Sequence, residues 1–108
     1  MPIFLTIGYG DQKGYERIGE ELRSAAHDQD DRLLGQGALL GRAGKPVQVR
    51  NHERAEVQTA QGPYLKADLP VARFAIIEAE NLEKAVELVS HSLCAVAHGV
   101  VEVWPIES

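Results

Sequence analysis

Three places along the chain carry side chains able to do chemistry. In "SAAHDQDDRLL", His27 stands four residues before Asp31, so on a helix the two side chains share one face. A carboxylate beside an imidazole can fix its tautomer and let the pair act as a general base near neutral pH. The same spacing also describes a solvated helix end, with Asp28, Asp30 and Asp31 facing water. Asp11 follows an apolar run, where it either projects into a cleft mouth or caps the next helix. In "AQGPYLKADLP", Gln61 and Tyr64 flank Gly62-Pro63. The Gln61 amide can bind and orient a ligand but cannot take a proton as an aspartate does, and the Tyr64 ring can stack on one. A catalytic reading requires His27 and the Gln61 to Tyr64 loop to face one cavity.

Metal and phosphate chemistry find no matching pattern. The sequence has no His-x-x-x-His, no paired cysteines and no calcium-loop run of acids, and "GQGALLGRAGKP" lacks the Lys-Ser/Thr of a phosphate loop. The expectation is a protein without metal or cofactor. His52 belongs to a hairpin tip and His98 to the negative end of a helix, where an imidazole needs no function.

The elements that must position these residues come from one domain of 108 residues, 44% apolar and 25% charged. A net charge of −5 argues against a nucleic-acid partner. Arg42, Lys45, Arg50, Arg54 and Lys66 cluster in the middle third, interrupted by Glu53 and Glu56, which suits a solvated hairpin face. The single Cys94, among Leu93, Ala95 and Val96, reads as a buried, inert thiol. The start "MPIFLTIGYG" has no basic leader and too short an apolar run to span a membrane, so a cytoplasmic setting with no membrane partner is expected.

Ile3 to Ile7 reads as a strand, ended by Gly8 and Gly10. From Lys13, Ile18, Leu22, Ala25, Ala26 and Leu33 recur at helical spacing until Gly35 and Gly37, which predicts one helix. Ala38 to Leu40 reads as a short strand, and the alternating Val47 to Arg50 and Ala55 to Thr59 as an antiparallel hairpin closed by Gly62-Pro63. Val71 to Ile77 is the strongest interior strand. Asn81 suits an N-cap for a second helix over Leu82 to Ala97, with Gly99 at its C′ position. Val100 to Ile106 is a last strand, in which Pro105 marks a sheet edge or the strand's end.

This order predicts an α+β ferredoxin-like sandwich, with two helices on one face of an antiparallel sheet. Ile3, Leu5 and Ile7 alternate with Phe4 and Thr6, and Phe74 and Ile76 with Ala75 and Ile77, so both sheet faces are apolar. No segment remains to cover the second face. A sheet-to-sheet homodimer is therefore expected.

The stretch "RFAIIEAENLEKAVELVSHSLCAVAHGVVEVWPI" resembles the C-terminal half of the YCII-related proteins, in the branch named for an Asp-Gly-Pro-Phe (DGPF) tetrapeptide. Phe74, Ile77-Glu78-Ala79, Leu82, Ala85, Gly99, Val101-Glu102-Val103 and Pro105-Ile106 carry the likeness, with Tyr9-Gly10-Asp11 and Gly62-Pro63 upstream. The resemblance implies a single YCII-like domain over residues 1–108 and a dimeric α/β barrel-like assembly with a cleft. It also implies small, often aromatic ligands and a His-Asp acid/base pair; His27 stands about where the family carries its histidine, and Asp31 or Asp11 would be its orienter. The chain departs from that pattern where the family's Asp is Gln61, its Phe is Tyr64 and a common Arg is Trp104. Both Gln61 and Trp104 remove charge, and Trp104 adds contact surface. These changes favour a module that binds an apolar or aromatic ligand near the dimer interface, through Asp11, Gln61, Tyr64 and Trp104. The alternative is a cofactor-independent lyase or isomerase using His27 and Asp31, and a dimer without ligand is a third reading.

Overall fold

The computed structural model describes residues 1–107. β1 (Ile3–Tyr9), β2 (Leu39–Arg42), β5 (Val71–Glu78) and β6 (Val100–Ile106) form one sheet in the order β2-β5-β1-β6, and every pairing is antiparallel. Hydrophobic alternation explains the two central strands. Phe4 and Thr6 of β1, with Ala75 and Ile77 of β5, are buried beneath the helices, while Phe74 and Ile76 emerge on the other face. Pro105 sits in the edge strand β6, where its missing donor breaks no ladder on the outer side. β1 and β2 run parallel with β5 between them, a connection compatible with the ferredoxin-like class.

The core joins Phe4, Ala75, Ile77, Ala79, Ala85 and Val89, with Leu40, Leu88, Val101 and Val103 packed against it. Ile77 is 2% exposed and Ala85 is fully enclosed. Small residues at Ala75, Ala79 and Ala85 let α3 (Leu82–Val89) lie close on the sheet. Asn81 caps that helix as expected, accepting a hydrogen bond from the Lys84 amide at 2.9 Å.

The predicted helices are both interrupted. The first consists of α1 (Gln12–Glu16) and α2 (Glu20–Gly35), because Gly19 takes an extended conformation and becomes the N-cap of α2. The corner turns Ile18 into the core, and Arg23 holds its freed carbonyl with two hydrogen bonds, at 3.1 and 2.8 Å. The second helix stops at Val89 and resumes as the short α4 (Leu93–Val96). Ser90 and Ser92 donate their hydroxyls to the carbonyls of Glu87 and Val89, three residues back, and so offer the chain an alternative to helix continuation. At the end of α4 the left-handed residue is His98, with φ of 61°, and not Gly99. Gly99 serves close approach instead, since its Cβ would stand 2.0 Å from the Tyr9 carbonyl oxygen.

The hairpin is present with a shifted second strand. β3 (Val47–Arg50) pairs with β4 (Gln58–Gln61), Val49 opposite Thr59, so Ala55 to Val57 belong to the connection and not to the ladder. Gly62 closes the pair in a left-handed conformation, φ 94°, and its amide donates to the Pro46 carbonyl. Every residue of β4 is exposed. The hairpin projects as an arm, which lengthens the molecule to 53 Å and raises the radius of gyration to 15.8 Å; a compact chain of this length has about 13 Å.

No helix is long and apolar enough to cross a membrane among the described residues.

Candidate functional site

The crossing of the chain at one end of the sheet produces a cavity of about 390 Å³. Gly10 follows β1, Arg42 ends β2, and Ala72 and Arg73 open β5, so three strand ends meet there. Asp11, Gln12 and Tyr15 come from the α1 region, His27 from α2, and Leu93, Cys94 and Ala97 from the α4 region. The arm springs from the same rim. Its root is fixed by the Ala43 amide donating to the Ala72 carbonyl and the Gly10 amide to the Pro70 carbonyl.

The residues expected to act divide among three places. Asp11 and His27 line this cavity, and Asp31 lies in an adjoining depression that His27, Asp30, Arg42 and Arg73 share. Gln61 and Tyr64 belong to the arm; Tyr64 contributes to a separate depression with Gln48 and Arg50, whose guanidinium stands 5.8 Å from the Tyr64 ring centroid. Trp104 is on the open sheet face, 54% exposed, opposite Leu5. Within one chain, therefore, His27 and the Gln61 to Tyr64 loop do not share a cavity.

Local bonding also changes the roles these residues can take. Asp11 accepts the Gly14 amide at 2.9 Å, so one of its oxygens is engaged as the α1 cap. His27 Nε2 lies 3.2 Å from the Tyr15 hydroxyl, with the two rings edge to face and their centroids 6.1 Å apart. Arg23 stacks on the same tyrosine at 5.1 Å. Among the described residues, no carboxylate stands within ion-pair distance of His27, and Asp31 shares its face without bonding to it.

The carboxylate that is structurally committed is Asp30. It is buried, and its Oδ2 accepts from Arg73 Nη1 at 2.7 Å, tying α2 to β5 beneath the cavity. Burial pushes the Asp30 carboxyl above the usual carboxylate range, and the Arg73 guanidinium opposes that rise without cancelling it. Burial likewise pushes the Cys94 thiol up, which agrees with an inert thiol although its sulfur borders the cavity. A group whose folded carboxyl holds its proton to higher pH than the unfolded chain contributes its full stability below about pH 4 and loses it as pH rises through the folded value. Stability of the wild type relative to Asp30→Asn should accordingly fall from about pH 4 toward neutrality, as read from urea melts. A gap that widens in favour of the wild type over that range would contradict the assignment.

Arg42, Arg73, Tyr15 and Gln12 were not among the candidates. Arg73 had a readable signal: it is a cation at an inward position of the apolar run Val71 to Ile77, and so requires a partner. Among the described residues, no three His, Cys, Asp or Glu side chains gather in a way that could hold a metal ion. The cavity lining combines polar and charged side chains, among them Asp11, Tyr15, His27, Arg42 and Arg73, with the apolar Ala72, Leu93 and Ala97.

No family model and no curated protein matches this chain.

Proposed function

We propose that the protein is a divergent YCII-related small-molecule-binding protein, taking an apolar or aromatic ligand in the cavity between α1, α2 and α4. The cavity itself carries the reading: about 390 Å³ lies within the range of ligand sites, and Ala72, Leu93 and Ala97 give it an apolar floor under a few convergent polar groups. Tyr15 and His27 stand on its wall to stack with and orient a ring.

The same proposal includes a homodimer through the open sheet face, in a barrel-like assembly. Leu39, Phe74, Ile76, Trp104 and Ile106 are exposed together on that face. Arg42 borders both the cavity and the apolar depression formed there by Leu5, Leu39, Phe74 and Ile76, so the ligand would lie near the interface.

Proton-transfer catalysis by His27 is the second reading, favoured by one observation: the imidazole borders the cavity beside a hydroxyl. It ranks below binding because Asp31 does not engage the ring and because, within one chain, the Gln61 to Tyr64 loop that the catalytic reading requires does not face this cavity. A thermal-shift screen of aromatic metabolites, with product analysis of every stabilising compound, separates the two. Stabilisation without turnover is expected. Turnover that survives in the wild type and vanishes in His27→Ala would establish the catalytic reading, and a screen with no stabilising compound would remove both.

A further inference from the structure

We propose that the ligand of this cavity carries a carboxylate, received by Arg42. The inference rests on the reading of the cavity as a ligand site and adds the chemical class of what enters it.

Arg42 and Arg73 are direct partners across the β2–β5 ladder, and both side chains border the cavity. Like charges placed opposite one another on adjacent strands destabilise a sheet unless something neutralises them. Asp30 neutralises only one of the two, through its 2.7 Å ion pair with Arg73. Among the described residues, no carboxylate lies within 4.0 Å of Arg42. Asp11, the remaining acid of the cavity lining, is engaged as the cap of α1. Among the described residues, one guanidinium lining the cavity, that of the exposed Arg42, is left without a carboxylate in ion-pair contact.

A guanidinium presents its donors as a planar fork that matches a carboxylate in two parallel hydrogen bonds. The ligand's apolar body would then rest on Leu93 and Ala97 while its carboxylate met Arg42. A small ring acid has this shape and charge. Recognition by Arg42 requires no proton transfer and so does not depend on His27 chemistry.

Benzoate, benzamide and inorganic phosphate are suitable probes, each titrated into the wild type and Arg42→Gln and followed by amide chemical shifts of Tyr15, His27 and Leu93. Arg42 is exposed on an edge strand, so the variant should keep its fold. A hydrogen bond to a charged partner makes benzoate bind about 10-fold or more tightly than benzamide, and Arg42→Gln should erase that difference while leaving benzamide unchanged. Equal binding of benzoate and benzamide at these residues would overturn the carboxylate and leave the cavity as an apolar ligand site. Phosphate binding as tightly as benzoate would also overturn it, in favour of a general anion site. If neither aromatic probe shifts the three residues, the ligand site and its carboxylate specificity fall together.

Discussion

Gly99→Ala is expected to destabilise the protein by about 3 kcal/mol or more, lowering the melting temperature by roughly 10 to 20 °C in a domain of this size. A Cβ at this position would stand 2.0 Å from the Tyr9 carbonyl oxygen and 2.6 Å from that of Cys94. Both obstacles are backbone. Tyr9 ends β1, and the Cys94 carbonyl already accepts the Gly99 amide at 2.9 Å, so neither can turn aside as a side chain would. Relief requires the end of β1 to separate from the loop after α4. Gly10 and Cys94 border the cavity on either side of that contact, and ligand binding should be lost along with stability. Gly35→Ala provides the comparison, since a Cβ there meets nothing within 4 Å; it should change stability by no more than about 1 kcal/mol and in the favourable direction. Urea melts of both variants check the pair of expectations. A Gly99→Ala protein with wild-type stability would mean that the strand end and the loop are not in fact held so closely.

The parts of the fold that were legible in the sequence are those where burial on one face writes a pattern. β1 and β5 are apolar and β-branched, and Asn81 announces α3 because capping is a local interaction between near neighbours. The helix interruptions were not legible, since Gly19, Ser90 and Ser92 are tolerated inside helices and act as stops only when the core draws Ile18 and Cys94 inward. The register of β4 is not legible in the sequence for a related reason. An arm exposed on both sides has no buried face to distinguish Ala55 to Thr59 from Gln58 to Gln61.

The candidate site was legible only residue by residue. His27 and Asp11 could be named as chemical groups, and they border one cavity, but their partners depend on tertiary contacts that spacing does not encode. Asp31, four residues from His27, satisfied the helical rule and yet makes no bond to the ring, while Tyr15, twelve residues away and on another helix, does. Asp30 looked like one more solvated acid of "DQDD" and is instead the buried partner of Arg73. Gln61-Gly62-Pro63-Tyr64 is accounted for as the closure of the hairpin, with Gly62 supplying the left-handed turn.

The second large effect is expected from Ile76→Lys, which should convert the proposed homodimer into a monomer with its secondary structure intact. Ile76 lies at the centre of the open face, with Leu39 on one side and Leu5 on the other, and Trp104 extends the row beyond Leu5. Leu39 is 68% exposed and Trp104 54%, so this row is a continuous apolar band that the chain's own helices do not cover. Apolar bands of this kind on small domains mark association surfaces. In a two-fold assembly the same residue enters the interface from each subunit, so one substitution would introduce two ammonium groups into a dry contact, where unpaired charges are costly. The fold itself should tolerate the change because the side chain points away from Phe4, Ala85 and the rest of the core. Val86→Lys applies the same charge to an exposed position of α3 and should leave the mass unaltered. Sedimentation at micromolar concentration, paired with circular dichroism, reads both outcomes. A wild type that sediments as a monomer would refute the face-to-face dimer outright, and an Ile76→Lys protein that remains dimeric would move the interface elsewhere. The protruding arm, with its exposed Val47, Val49 and Tyr64, is then the surface on which the association must be sought.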